Sequence, residues 1–297
     1  MDWTESLRRA IDFIEMGLTE DISPEDAAKA VNISPFYLER GFKFMTGYSM
    51  GEYIRSRRLY LSALDIIGGR DEKVIDIALK YGYDTPESFT KAFTRFHGVT
   101  PSGLRKDPHR LRTFLPLKIQ VVIQGGNSMD MIVKKMSGFK VIGYERDFSE
   151  ETSYAEIPKF WEEIMGEKIA PICNKIKAPE TAEEKAIADN CIGMYGVCID
   201  DIGGGKFRYI IAGEYKGGIV PEGMTVYELP ETQWAKFRCV GPLPGLLQSV
   251  NTRIFREWLP GNPDYEIAFG ANIEWYSEGD TSAADYESAI WIPVKRK

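Results

Sequence analysis

A single acidic residue, Glu274, stands in the otherwise apolar run Ile273-Glu274-Trp275-Tyr276. A carboxylate in such a strand either faces solvent from a sheet edge or turns into a groove, where it balances a cation. Glu287, just ahead of the last apolar run Ala289–Val294, is the second carboxylate of this kind. Aromatic faces complement such a site through cation–π contact. Two carboxylates with tyrosines would also suit general acid–base work. Other catalytic machinery is not legible. The two histidines, His97 and His109, fall in the first 110 residues, and no H-E-x-x-H occurs. Gly203-Gly204-Gly205-Lys206 lacks the preceding spacing of a phosphate loop and reads as a hairpin turn. Cys173, Cys191, Cys198 and Cys239 show no C-x-x-C spacing and read as reduced, partly buried thiols. No catalytic residue, metal site or cofactor is expected.

The basic residues form a second group. Arg40, Lys43, Arg55, Arg57 and Arg58 cluster, as do Lys91, Arg95, Arg105, Lys106, Arg110 and Arg112. The chain carries a formal charge of −7, which by itself argues against a polyanionic partner. That charge is unevenly spread: residues 1–112 hold 17 basic and 17 acidic side chains, leaving the whole excess to the remainder. Nucleic-acid binding in the neutral part must therefore rest on a few placed cations. The start, Met1-Asp2-Trp3-Thr4-Glu5, is acidic and helical in character, unlike a signal peptide, and no apolar run approaches the ~20 residues that cross a bilayer. A cytoplasmic location with no membrane partner is expected.

The elements that must position these groups differ between the two halves. Residues 5–112 read as helix after helix. Ser23-Pro24-Glu25-Asp26 combines an N-cap, a first-turn proline and acids at the positive end of the helix dipole. Asn32-Ile33 turns the chain and Ser34-Pro35 opens the next helix, carrying Phe36, Leu38, Phe42 and Phe44. After a longer helix from Ser49 to Gly68-Gly69 the pattern recurs: a short helix over Lys73–Lys80, the turn Tyr81-Gly82-Tyr83, and a helix opened by Thr85-Pro86 with Phe89, Phe93 and Phe96. A short helix, a turn and a capped second helix make a helix-turn-helix, twice. Pro108–Asn127 reads as connection plus one strand, Ile119–Ile123. Beyond it, strands are expected at Met131–Met136, Lys140–Glu145, Cys191–Asp200 and Phe207–Tyr215, with a helix over Ile157–Met165. A second round follows: strands Thr225–Leu229, Trp234–Val240, Tyr265–Trp275 and Ala289–Val294, with a helix over Leu246–Trp258. The fold class is thus two domains, all-α then α+β, the latter a duplicated strand-strand-helix-strand-strand unit with a groove between its halves.

The first part resembles the AraC/XylS family of regulators. The carriers are Ile33-Ser34-Pro35-Phe36-Tyr37-Leu38-Glu39-Arg40-Gly41-Phe42-Lys43, Tyr53-Ile54-Arg55-Ser56-Arg57-Arg58-Leu59, Ile77-Ala78-x-x-Tyr81-Gly82-Tyr83 and Phe89-x-x-x-Phe93-x-x-x-x-Gly98-x-x-Pro101. The resemblance implies two recognition helices entering successive major grooves about 34 Å apart. It puts Phe36, Glu39 and Arg40 at base-contact positions of the first, and Glu87, Ser88, Thr90 and Lys91 at those of the second. Arg40 can pair with guanine, Glu39 can accept from cytosine and Thr90 can meet a thymine methyl. Lys43, Arg55, Arg57 and Arg95 are expected on phosphates. Leu104 departs from the family, which has an aromatic residue there, a change that bears on packing more than on DNA contact.

The second part resembles the GyrI-like effector-binding domain of Rob-type regulators and multidrug-sensing proteins. Its carriers are Phe139-Lys140-Val141-Ile142-Gly143, Tyr195-Gly196-Val197-Cys198, Trp234-Ala235-x-Phe237-x-x-x-Gly241-Pro242, Trp258-Leu259-Pro260, Ile273-Glu274-Trp275-Tyr276 and Glu287-x-x-Ile290-Trp291-Ile292-Pro293-Val294. The resemblance implies a pocket for an amphipathic, cationic effector, with Glu274 as its carboxylate, Glu287 behind it, and Tyr195, Trp161, Trp234 and Tyr276 as wall residues. The implied organisation is a double helix-turn-helix domain over 1–110, a connection with a strand over 111–128, and an effector-binding domain over 129–297. The implied partners are promoter duplex DNA, RNA polymerase and a small effector. Two other readings of the second part stay open: a hydrolase using the paired glutamates, and a ligand-free docking module.

Overall fold

The computed structural model describes residues 3–69, 72–119, 129–149, 152–174, 178–199 and 206–297. They divide into two compact units, one of Thr4–Asn32 and Thr46–Val122, the other of Met1–Trp3, Ile33–Met45 and Ile123–Lys297. The helices of the first half are α1 (Trp3–Met16), α2 (Pro24–Val31), α3 (Pro35–Thr46), α4 (Met50–Gly68), α5 (Val74–Lys80), α6 (Pro86–His97) and α7 (Pro101–Lys106). By its contacts α3 groups with the second unit, not with the helices that flank it in sequence.

The helix starts follow their capping chemistry. Ser23 and Asp26 form a reciprocal capping box before α2, Ser49 and Glu52 do so before α4, and the Thr85 hydroxyl accepts from the Ser88 amide ahead of α6. Asn32 closes α2 in the left-handed region at φ 54°, a conformation asparagine tolerates better than most residues. In the helical unit, α4 to α7 share a core of Leu59, Ala63, Ile66, Ile77, Ala78, Tyr81, Phe89, Phe93, Val99 and Leu104. Leu104 is fully buried in it, so the departure noted at that position is a matter of packing.

Arg57 corrects the sequence expectation. Instead of facing a phosphate it is buried, its Nε and Nη2 donating to the two carboxylate oxygens of Glu15 at 2.8 and 2.7 Å, and its Nη1 to the Phe114 carbonyl. The Tyr53 hydroxyl adds a 2.6 Å bond to the same Glu15. A guanidinium buried in this way, with all three nitrogens bonded inside the unit, is turned away from a phosphate.

His97 is likewise structural. Its Nε2 meets the Leu59 carbonyl at 3.1 Å, and Nδ1 accepts from the Arg112 amide at 3.2 Å, which needs the neutral ring. Burial, and then the nearby Arg112 cation, holds its pKa below the ordinary imidazole value. A lowered folded-state pKa means stability that is present above about pH 6.5, the unfolded value, and lost as pH falls through the folded one. The drop in Tm between pH 7.5 and 5.5 is therefore expected to be larger in the wild type than in His97→Gln; equal drops would assign the acid sensitivity elsewhere.

The second unit is built on one antiparallel sheet. Its strands are β1 (Met131–Met136), β2 (Phe139–Ser149), β3 (Tyr195–Ile199), β4 (Lys206–Glu214), β5 (Thr225–Leu229), β6 (Thr232–Val240), β7 (Tyr265–Ile267), β8 (Ala271–Tyr276) and β9 (Glu287–Arg296). The order is β1-β6-β9-β8-β3-β4-β2-β5, with β7 also on β9. Exchanging β1–β4 for β5, β6, β8 and β9 reverses this order onto itself, so the two repeats are related by a pseudo-twofold that passes between β3 and β8. Each repeat lends its first strand to the other's edge. Helices α8 (Ser153–Ile164), α9 (Ala170–Cys173) and α10 (Ala182–Asn190) belong to the first repeat, α11 (Gly245–Arg253) and α12 (Leu259–Gly261) to the second. In both, a π-helical turn (Met165–Ile169, Ile254–Trp258) precedes a proline, Pro171 or Pro260. Proline cannot donate to the preceding turn, and the widened turn accommodates its ring.

The run expected as one strand over Tyr265–Trp275 is split into β7 and β8, because the chain turns tightly at Phe269, whose carbonyl accepts from the Ala271 amide. The expected strand from Cys191 begins only at Tyr195, since Cys191 ends α10 in a left-handed conformation. Most of the expected strand Ile119–Ile123 and the Gly203-Gly204-Gly205 turn lie outside the described residues; β3 and β4, on either side of that turn, pair antiparallel. Among the described residues no helix is long and apolar enough to cross a membrane.

Candidate effector cavity and DNA-reading face

Alternation along the strands sorts the side chains onto two faces. Tyr195, Val197, Ile210, Ile273, Trp234 and Trp291 point to one face and form a single buried cluster. The sheet curls over that cluster: Phe139 on β2 and Trp234 on β6 are far apart in strand order, yet their rings lie 6.5 Å apart. The residues between them, Cys198, Phe207, Tyr209, Glu274 and Tyr276, point the other way. There they line a cavity of about 1230 Å³, closed by α8 through Ile157 and Trp161 and by α11 through Leu247 and Asn251. That volume slightly exceeds the usual range of roughly 300–1,000 Å³ for small-molecule sites.

Glu274 is the charged centre of this face. Its Oε2 accepts from the Tyr209 hydroxyl at 2.8 Å and from the Tyr276 hydroxyl at 2.9 Å, while the indole N–H of Trp161 donates to the Tyr209 oxygen at 2.8 Å. Its Oε1 has no hydrogen bond among the described residues. Burial, followed by the neighbouring Glu274 charge, raises both phenols far above the ordinary tyrosine value, so they remain donors at any physiological pH. The arrangement depends on Gly196. That residue is paired with Glu274 across β3 and β8, and a β-carbon built there would lie 2.0 Å from the Tyr209 oxygen and 3.1 Å from Glu274 Oε2. The cavity thus offers an oriented carboxylate in an aromatic and aliphatic setting, a combination that suits an organic cation.

Of the six expected effector-site residues, the structure brings Glu274, Trp161 and Tyr276 to one cavity. The other three are corrections. Tyr195 and Trp234 are buried in the cluster on the opposite face, because they are out of phase with Glu274 in the strand alternation. Glu287 is half-exposed at the start of β9, paired with Arg238, and is not among the residues that line the cavity with Glu274. Tyr209 was missed. Its signal was the alternation Phe207-x-Tyr209 on a strand hydrogen-bonded to the glycine-bearing β3.

The expected DNA-contact residues are placed unequally. On α6, Glu87, Ser88, Lys91 and Arg95 are exposed on one face, Thr90 is half-buried, and Phe89, Phe93 and His97 turn into the core. Arg55 is exposed on α4. On α3, Phe36 and Glu39 are buried at 2% and 8% exposure, and Arg40 and Lys43 are half-buried. Phe36 and Glu39 are thus not on an exposed face of α3.

Comparison with known proteins matches two regions of the chain. The profile of Cass2, an integron-associated effector binding protein, matches residues 132–294, and that of a helix-turn-helix domain matches residues 27–107. The right origin-binding protein of Escherichia coli strain K12 is 35% identical over 109 residues, 36% of this chain and 37% of that protein. The chain therefore matches little more than a third of that relative's length. The transcriptional activator AarP of Providencia stuartii is 39% identical over 93 residues, 31% of this chain and 68% of that protein. Among solved structures, SAV2435 bound to tetraphenylphosphonium is 18% identical, with a TM-score of 0.45, over 56% of this chain and 94% of that one. With more than half of its length matched in 132–294, the chain belongs to the Cass2 family of integron-associated effector binding proteins, joined here to an AraC-type helix-turn-helix domain.

Proposed function

We propose that the protein is a DNA-binding transcription regulator whose sheet unit takes up a small amphipathic cation against Glu274. The observation that carries the effector half is the convergence of Tyr209 and Tyr276 on one Glu274 oxygen, beside Trp161, in a cavity large enough for an aromatic cation. The ligand's positive charge meets the carboxylate, its apolar body meets Trp161, Ile157 and Leu247, and multidrug sensing follows from a site that selects charge and shape rather than one hydrogen-bond pattern. Isothermal titration with tetraphenylphosphonium tests this. Glu274→Gln is expected to cost about 1.5–3 kcal/mol, roughly ten- to a hundredfold in Kd, because a charged partner is exchanged for a neutral one of the same shape. Wild-type and variant proteins binding alike would remove Glu274 from the role.

The DNA half is supported by the matched helix-turn-helix domain and by the exposed α6 face. Duplexes that contact Glu87, Ser88, Thr90 and Lys91 on bases, with Arg55, Arg95 and Lys43 on phosphates, are the proposed partner, and RNA polymerase is the proposed downstream contact. On a duplex selected from a random pool, Lys91→Ala is expected to relax preference at one position at a cost of about 1–3 kcal/mol. Arg95→Ala is expected to weaken all duplexes alike and to lower the salt slope by about 1. Unchanged selectivity and salt slope in both variants would overturn the α6 assignment.

A further inference from the structure

The cavity is not closed by residues 129–297 alone. Phe36 and Arg40 of α3 line it, in the same unit as Glu274. Several contacts seat the helix, among them the following. The Phe36 ring lies 5.4 Å from Phe207 on β4, and the Tyr37 hydroxyl donates to the Ala271 carbonyl of β8 at 2.6 Å. The Phe44 ring stacks on Phe255 at 5.4 Å, and the Phe44 carbonyl accepts from Arg256 at 2.6 Å. Phe207 and Tyr209 alternate on β4, so the ring that holds Phe36 is next in phase to the phenol that holds Glu274.

We infer that Phe36 and Arg40 are shared between the effector site and the first DNA-reading helix, so that effector binding and base reading by α3 exclude one another. The inference rests on the proposed function in both its parts. A base contact requires a side chain to reach within hydrogen-bond or van der Waals distance of the groove floor, which Phe36 cannot do from its place in the cavity wall. An amphipathic cation that fills the cavity adds contacts to Phe36, and those contacts exist only while α3 is seated. A ligand shifts an equilibrium by its differential affinity for the two states, so the effector holds α3 on the sheet, while an operator read by α3 draws it away. The coupling is reciprocal: each partner weakens the other by the same factor. If seated and DNA-engaged states are fully exclusive, effector at 100 times its Kd weakens operator binding by about a hundredfold.

The test uses the full chain, tetraphenylphosphonium and a fluorescent duplex selected by the wild-type protein. The expected result is a rise of at least about tenfold in duplex Kd at saturating tetraphenylphosphonium, with the same factor lost from tetraphenylphosphonium affinity at saturating duplex. Hydrogen exchange over residues 35–45 is expected to slow on adding tetraphenylphosphonium, and Phe36→Leu, which retains an apolar plug, is expected to lose about fivefold in tetraphenylphosphonium affinity. Tetraphenylphosphonium binding that depends on Glu274 but leaves duplex Kd unchanged, or tightens it, overturns the inference and leaves the effector reading standing. Absence of tetraphenylphosphonium binding to the wild type removes both. Should no duplex emerge from selection, hydrogen exchange decides: protection of β8 without protection of α3 overturns the sharing.

Discussion

Arg57→Ala is expected to lower the unfolding free energy by about 3–5 kcal/mol, the usual cost of breaking a buried ion pair by removing one partner. The guanidinium is 5% exposed and the Glu15 carboxylate 21%. Removing Arg57 leaves Glu15 with only the Tyr53 hydroxyl among the described residues, strips the Phe114 carbonyl of the Arg57 donor, and opens a void between α1 and α4. Because a like-volume apolar pair can replace a buried salt bridge at little cost, Glu15→Leu/Arg57→Met is expected to recover more than half of the loss. Urea unfolding of the three proteins checks this. An Arg57→Ala protein that keeps its stability but loses DNA affinity would restore the phosphate role suggested by its place in a basic cluster. Arg55, two residues earlier and exposed on the same helix, is the contrasting control: Arg55→Ala is expected to alter the salt slope of DNA binding and leave stability within about 0.5 kcal/mol.

Gly196→Ala is expected to destabilise the sheet unit by about 1–3 kcal/mol and to abolish the Tyr209–Glu274 bond. The added methyl would lie 2.0 Å from the Tyr209 oxygen, and the phenol cannot step aside, since its ring is fully buried against Trp161 and Phe148. Loss of one donor and displacement of the carboxylate are expected to weaken tetraphenylphosphonium binding at least tenfold. Tyr209→Phe placed on top of Gly196→Ala removes the colliding oxygen and is expected to raise Tm again without restoring affinity, because Glu274 still lacks that donor. If Gly196→Ala binds and melts like the wild type, Gly196 is not what makes room for the cavity's charged centre.

Some features of the protein are legible in its sequence and others are not. Capping boxes at Ser23 and Ser49, the Thr85-Pro86 start and the turn at Asn32 are written in adjacent residues, so the helices and their order follow from local chemistry alone. Duplication was legible for the same reason, since strand periodicity and matching spacings recur along the chain. Glu274 was legible because a lone carboxylate in an apolar strand departs from the pattern around it. Its partners were not. Tyr209 lies 65 residues away and reaches Glu274 only through the β4-β3-β8 register, and the same register turns Tyr195 to the other face.

Arg57 and Phe36 mark the same limit on the helical side. Sequence assigns both to a motif whose side chains meet DNA, and helix periodicity cannot tell a solvated cation from one facing a carboxylate 42 residues earlier. Types, caps and periods are local properties and were determined by the amino-acid sequence read on its own. Which face of β3 bears the glycine gap, which arginine finds Glu15, and which unit α3 packs against are set by contacts between residues distant in the chain. Packing energy at those contacts outweighs local preference, and for that physical reason only the tertiary structure decided them.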